Sequence, residues 1–226
     1  MDARWRLRLI AGTMVLAIAG VGCNPFNLAY FLTGGPESKV DPDFRLATKE
    51  HEVTVLILAY STADVQTDQV GVDRQLGAMV ARQLQDRCQV NKEKVKIVPI
   101  HQVEKFKADH PGWKSMGAVE MGKHFDADFV VDLELVRLGL YESGSHRSLY
   151  RGSSKIDVAV LDVRKPLDGP VLKKSISVEY PKSRGPIPVA DDNNPDKFRD
   201  LFVNRIATEI CWLFTTHPFS EECQCD

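Results

Sequence analysis

The sequence predicts an α/β (mixed α+β) fold: a mixed sheet with helices packed on it in two or three layers, in the order β-α-β-α-α-β-β-β-α. Three observations carry this. Residues 53–59 (VTVLILA) form an almost unbroken apolar run, the pattern of a strand covered on both faces. Residues 72–88 repeat apolar side chains at helical spacing. Residues 127–135 alternate apolar and polar positions, and two further strands follow, joined by the turn Asp168-Gly169, which marks an antiparallel meander.

After the first strand, residues 60–67 read as a polar loop. Val72, Leu76, Met79, Val80, Leu84 and Cys88 then make one stripe on a helix. Residues 95–99 (VKIVP) are a second strand closed by proline. Two short helices follow, near 102–108 and 113–125, separated by His110-Pro111-Gly112. In residues 127–135, Phe129, Val131, Leu133 and Leu135 face one way while Asp132 and Glu134 face the other, as in a half-exposed strand. The loop 141–148 leads to a strand centred on Ile156, Val158 and Val160, and a third strand covers 171–180. A polar, proline-rich segment ends at Asn194-Pro195-Asp196, an N-cap, an N1 proline and a first-turn acid. The closing helix carries the stripe Phe198, Leu201, Phe202, Ile206, Ile210, Leu213 and Phe214, and is expected in the core.

The N-terminus reads as an address. Three arginines stand among the first eight residues, and residues 9–22 follow without a charge. About 20 apolar residues are needed to span a bilayer, whereas a basic start and a shorter apolar run mark a secretory signal. Small residues then surround Cys23, and the stretch 15–26 (VLAIAGVGCNPF) resembles the lipobox of bacterial lipoproteins. That resemblance implies cleavage before Cys23 and acylation of its thiol with fatty chains such as palmitate; Gly20 stands where the pattern usually has leucine. The expected organisation is a signal over 1–22, a lipidated tether over 23–50, one globular domain over 51–216 and a polar tail over 217–226. The apolar cluster 26–32 adds a second weak membrane anchor or packs on the domain. Asn24, where aspartate often marks inner-membrane retention, leans toward the periplasmic face of the outer membrane.

Composition excludes little else. The chain is 43% hydrophobic and 27% charged, in the range of globular proteins, and its formal charge of -2 becomes about -4 without residues 1–22. No basic stripe argues for nucleic acid. Cys88 and Cys211 fall in helical apolar patterns and fit buried free thiols as well as a bridge. Cys223-Gln-Cys225, six residues beyond His217, lacks the spacing of a structural zinc site.

Signatures of catalysis are few. There is no G-x-S-x-G, H-E-x-x-H or phosphate-binding glycine loop, and nothing calls for a cofactor. Asp132 and Glu134 share a strand face, which a solvated strand explains. The loop is more telling: Ser145, His146 and Arg147, with Tyr150 and Arg151 beside them, are expected to project aromatic and cationic groups at one end of the meander as an interface.

Residues 53–59, 121–131 (MGKHFDADFVV), 154–163 (SKIDVAVLDV) and 168–172 (DGPVL) together resemble the α/β domain shared by the curli-secretion lipoprotein, the penicillin-binding-protein activator lipoproteins and the TolB N-terminal domain. The resemblance spans roughly residues 52–214 and implies a non-catalytic module at the membrane that assembles with other envelope proteins. It carries over no functional residue. The expected function is therefore a lipid-anchored binding or assembly module of the bacterial envelope, bound to another envelope protein or to copies of itself. The alternative is an envelope hydrolase or metal-dependent enzyme built from dispersed Asp/Glu and His.

Overall fold

The structure, a computed structural model, describes residues 38–46, 49–189 and 194–223. Cys23, the leader, the 26–32 cluster and Cys225 lie outside these residues. In chain order the elements are β1 (Lys39–Val40), β2 (Val53–Ser61), α1 (Ala63–Asp68), α2 (Val72–Asn91), β3 (Val95–Ile97), α3 (Ile100–Asp109), a 3-10 turn (Trp113–Ser115), α4 (Ala118–His124), β4 (Phe129–Tyr141), β5 (Leu149–Asp162), β6 (Pro170–Tyr180), β7 (Ile187–Pro188), α5 (Pro195–Trp212), β8 (His217–Pro218) and α6 (Phe219–Cys223).

The main sheet runs β3-β2-β4-β5-β6, with β7 paired to β5 beyond the end of β6. β2 pairs in parallel with β3 and β4, and β4, β5 and β6 are antiparallel. This is the expected mixed sheet. Its coverage is uneven. α2 and α5 pack on one face, where Val55, Ile57, Val80, Leu84, Val131, Leu133, Ile156, Val158, Phe202 and Ile206 form the larger core. On the other face α3, the 3-10 turn and α4 cover the parallel strands, with Leu56, Leu58, Val98, Val103, Phe106, Met121 and Val130 in a second core. The continuous apolar run of β2 is explained by its place between the two layers. Past the start of β4 and the end of β5, which α4 covers at Val130 and Leu161, the second layer is missing over β4 to β6, so those strands alternate. The domain has three layers on its parallel half and two on its antiparallel half.

Close approaches fix this packing. Gly152 on β5 lies under Phe202 of α5, and a Cβ there would sit 2.6 Å from the ring. Gly122 of α4 lies against Val130 and Val163, where a Cβ would come within 2.5 Å of a methyl group. Asn194 caps α5 by accepting from the Asp196 amide at 2.9 Å, with Pro195 in the first turn.

Several expectations need correction. The polar loop 60–67 holds the end of β2 and the helix α1, whose Val65 is buried beneath it. Leu201 is 48% exposed; the buried arc of α5 centres on Phe202, Ile206 and Ile210, and Val203, Ala207 and Cys211 fill it instead. The described parts of the expected tether and tail, residues 38–46 and 217–223, pack with the domain. β1 pairs with β8, Leu46 is buried in the larger core, and Phe44 meets Phe129 edge-on at 5.7 Å. His217 is buried, stacks on Trp212 at 4.7 Å, and bonds Glu222. Cys88 and Cys211 need no correction: they are free, buried thiols, one of the two readings their helical positions allow.

Candidate functional site

Two places gather polar groups. The first is where β2 ends beside the uncovered face of the meander. β3 and β4 flank β2, so the chain leaves β2 toward one neighbour and later returns to the other; ligands in open α/β sheets favour the carboxyl ends of strands at such a point. Here the Tyr60 hydroxyl donates to Asp132 Oδ2 at 3.3 Å. Tyr60 meets Trp113 edge-on at 5.9 Å, and Lys114 Nζ lies 5.3 Å over the phenol ring. Lys107 Nζ donates to the Ala59 carbonyl at 2.8 Å and pairs with Glu104 at 2.7 Å.

Burial under this aromatic wall pushes the Asp132 carboxyl up to about 6, with the charge of Glu134 adding to the effect and the Tyr60 hydrogen bond opposing it. The Tyr60 phenol is raised too, first by burial and then by Asp132 and Glu134. Asp132 is therefore not the solvated acid of a half-exposed strand, although its strand alternates as expected. Its Oδ1 is buried without a hydrogen-bond partner, as is Ser61 Oγ. The two do not converge, because Ser61 and Tyr60 are successive residues of one strand and point to opposite faces. Glu134 stands opposite Asp157 in the β4–β5 register. No histidine joins the acids there: His110 and His124 pack on either side of Phe106, at 4.1 and 4.4 Å between ring centres. Among the described residues no group of three His, Cys, Asp or Glu is placed to hold a metal ion.

The second place is the β4–β5 hairpin. Its tip is tightly turned: Gly144, His146 and Arg147 all have positive φ, Ser145 Oγ donates to the Glu142 carbonyl at 2.8 Å, and Ser148 Oγ to that of Ser145 at 2.6 Å. His146 and Arg147 are exposed and Ser145 is half-buried. Arg147 lies over the Tyr141 ring at 5.7 Å and borders a cleft of about 460 Å³, shared with Asp68, Asp196 and Arg199. Tyr150 is a correction. It is wholly buried, stacked between Tyr141 at 5.2 Å and Phe198 at 4.7 Å, so it belongs to the core and does not project. Arg151 lies on the uncovered sheet face, paired with Glu179 at 3.2 Å and Glu142 at 3.6 Å.

Sequence reasoning named the hairpin but missed Tyr60, Lys107, Trp113 and Lys114. The end of a buried parallel strand, Ala59-Tyr60-Ser61, was the available signal for Tyr60. Nothing local brings Trp113 or Lys114 to it, since that contact is made by the return of the chain between β3 and β4.

No protein-family model matches the sequence, and neither does any curated protein sequence. Solved structures do show partial likeness. The PelC dodecamer from Paraburkholderia phytofirmans is 10% identical with a TM-score of 0.44, covering 80% of this chain and 98% of that one. Lipoprotein GNA1162 from Neisseria meningitidis is 11% identical with a TM-score of 0.39, covering 70% and 96%. The hypothetical protein CT253 from Chlamydia trachomatis is 14% identical with a TM-score of 0.44, covering 70% and 93%. Likeness at this level carries no inference about function.

Proposed function

We propose that this chain is a lipid-anchored assembly module of the bacterial cell envelope, held at the membrane through Cys23 after removal of residues 1–22, and that it works by binding protein. The single observation supporting a binding role is the uneven covering of the sheet. One face of β4, β5 and β6 carries half-buried and exposed polar side chains, among them Glu134, Lys155, Asp157, Lys173, Ser175 and Ser177, with no helix over them among the described residues. A three-strand face of that kind, bordered by the hairpin tip with Ser145, His146 and Arg147, is a broad docking surface; Arg151 lies within it. The basic leader, the short apolar run and the cysteine at its end support the membrane address.

The test is Cys23→Ser in cells. Loss of the chain from the membrane fraction, with an unchanged melting curve, is the expected result. Mass spectrometry of native material that finds residues 1–22 attached and no acyl chain would refute the address. Crosslinking from a reactive group at position 155, compared with one on the α2 surface at position 82, checks the docking face: adducts at 155 alone are expected.

A further inference from the structure

We propose that β6 is a self-association edge, at which two copies of this chain pair antiparallel about a twofold axis through Ile176 and join their sheets into one. The proposal rests on the assembly-module reading and adds to its docking face an edge at which the chain meets a copy of itself. β6 is eleven residues long and ends the sheet; no described strand lies on its outer side. Such an edge exposes a row of backbone donors and acceptors that another strand can satisfy.

Lysine on an edge ordinarily discourages strand addition, and β6 carries Lys173 and Lys174. Lys174 is engaged within the chain, by Asp43. The position of Lys173 is what matters. In an antiparallel pair centred on one residue, positions equally far before and after it stand opposite each other, and the helices of both copies stay on the same side of the joined sheet. With Ile176 at the centre, Lys173 faces Glu179 of the second copy, and the symmetry makes this contact twice. Ser175 faces Ser177, a pair of hydroxyls. On the core side Ile176 meets its own copy and Leu172 meets Tyr180. These three residues are half-buried against the larger core, so pairing would complete their burial.

Neighbouring registers do worse. Centring on Ser175 sets Lys173 against Ser177 and Glu179 against Val171. Centring on Ser177 sets Lys173 against Pro181. Only the Ile176 register places opposite charges together, and there Glu179 lies between Arg151 of its own chain, already at 3.2 Å, and Lys173 of the other.

The experiment is sedimentation equilibrium of the full chain in detergent, with charge-reversed variants. Lys173→Glu and Glu179→Lys each replace two attractive contacts by two repulsive ones, and each should weaken dimerisation by about tenfold or more. The double variant restores both contacts and should return to within about threefold of the parent. Ile176→Cys should form a disulfide-linked dimer on mild oxidation that the parent chain does not. A chain that stays monomeric throughout, or a dimer indifferent to both reversals, would overturn the proposal. So would a double variant no better than the single ones. Thermal melts confirm that the variants fold, and should Glu179→Lys unfold, Lys173→Glu and Ile176→Cys still decide. Failure here leaves the anchor untouched, because the fractionation of Cys23→Ser is read separately.

Discussion

The Tyr60 hydroxyl donates to Asp132 across two parallel strands, from the end of β2 to the first part of β4, and this contact covers a carboxyl that water would otherwise solvate. Burial raises Asp132 from 3.8 to about 6, so the folded state holds its proton more tightly than the unfolded chain. The sign follows. Between about pH 4 and 6 the native state binds more protons, and this group's contribution to stability, full below 3.8, is lost as pH rises through 6. Asp132→Asn removes the titration. The stability of the Asn variant relative to the parent should therefore increase by roughly 2–3 kcal/mol from pH 4 to pH 7, read from urea denaturation at each pH. A flat difference would show that Asp132 is solvated.

Gly152 beneath Phe202 gives a second prediction. The two meet because α5 crosses β5 at close range, and a Cβ at 2.6 Å from the ring forces one of them to move. Gly152→Ala should cost about 1–3 kcal/mol by overpacking. Pairing it with Phe202→Leu should recover part of that loss, measured as a coupling energy in a double-mutant cycle.

The buried thiols give a third. Burial pushes Cys88 up to about 12, with Glu93 adding to it, and burial does the same to Cys211 against the opposing charge of Arg87. Both should resist alkylation in the native protein at pH 8 and react only as it unfolds. Peptide mapping after brief iodoacetamide treatment, with and without urea, reads this directly.

How far the sequence carried the structure can be seen element by element. The strands, their mixed order, the long α2 stripe and the Asn194 cap were legible because each is written in a local period or a local hydrogen bond. Leu201 was misplaced because a helical stripe read alone does not say where the centre of its buried arc lies. Tyr150 looked like an interface residue because the loop beside it is polar, yet its ring is held by Tyr141 and Phe198, and Phe198 is supplied by a helix about fifty residues later. The Tyr60 site was invisible for the same reason, its wall being assembled from a turn between the second and third strands of the sheet.

Leu46 provides the last and sharpest prediction, because it separates a tether from a domain. Composition places residues 23–50 in a solvated linker, where truncating one leucine should cost under 0.5 kcal/mol. In the structure Leu46 is 4% exposed, next along the chain to the segment in which Phe44 packs on Phe129 and donates its amide to the Leu213 carbonyl at 3.0 Å. Just upstream, Lys39 and Val40 pair with Pro218 and His217, so both ends of the domain close on each other. Leu46→Ala should then destabilise by about 2–5 kcal/mol, the cost of a buried cavity. Ending the chain after Thr216 removes β8 and, with it, the Trp212–His217 stack and the Arg87–Glu221 ion pair. This truncation should lower stability as well and should raise amide exchange at Val40, on the far side of the sequence. Exchange at Val40 unchanged by the truncation would mean that the two-stranded closure contributes nothing to protecting β1, while Leu46→Ala still decides whether the segment after it belongs to the core.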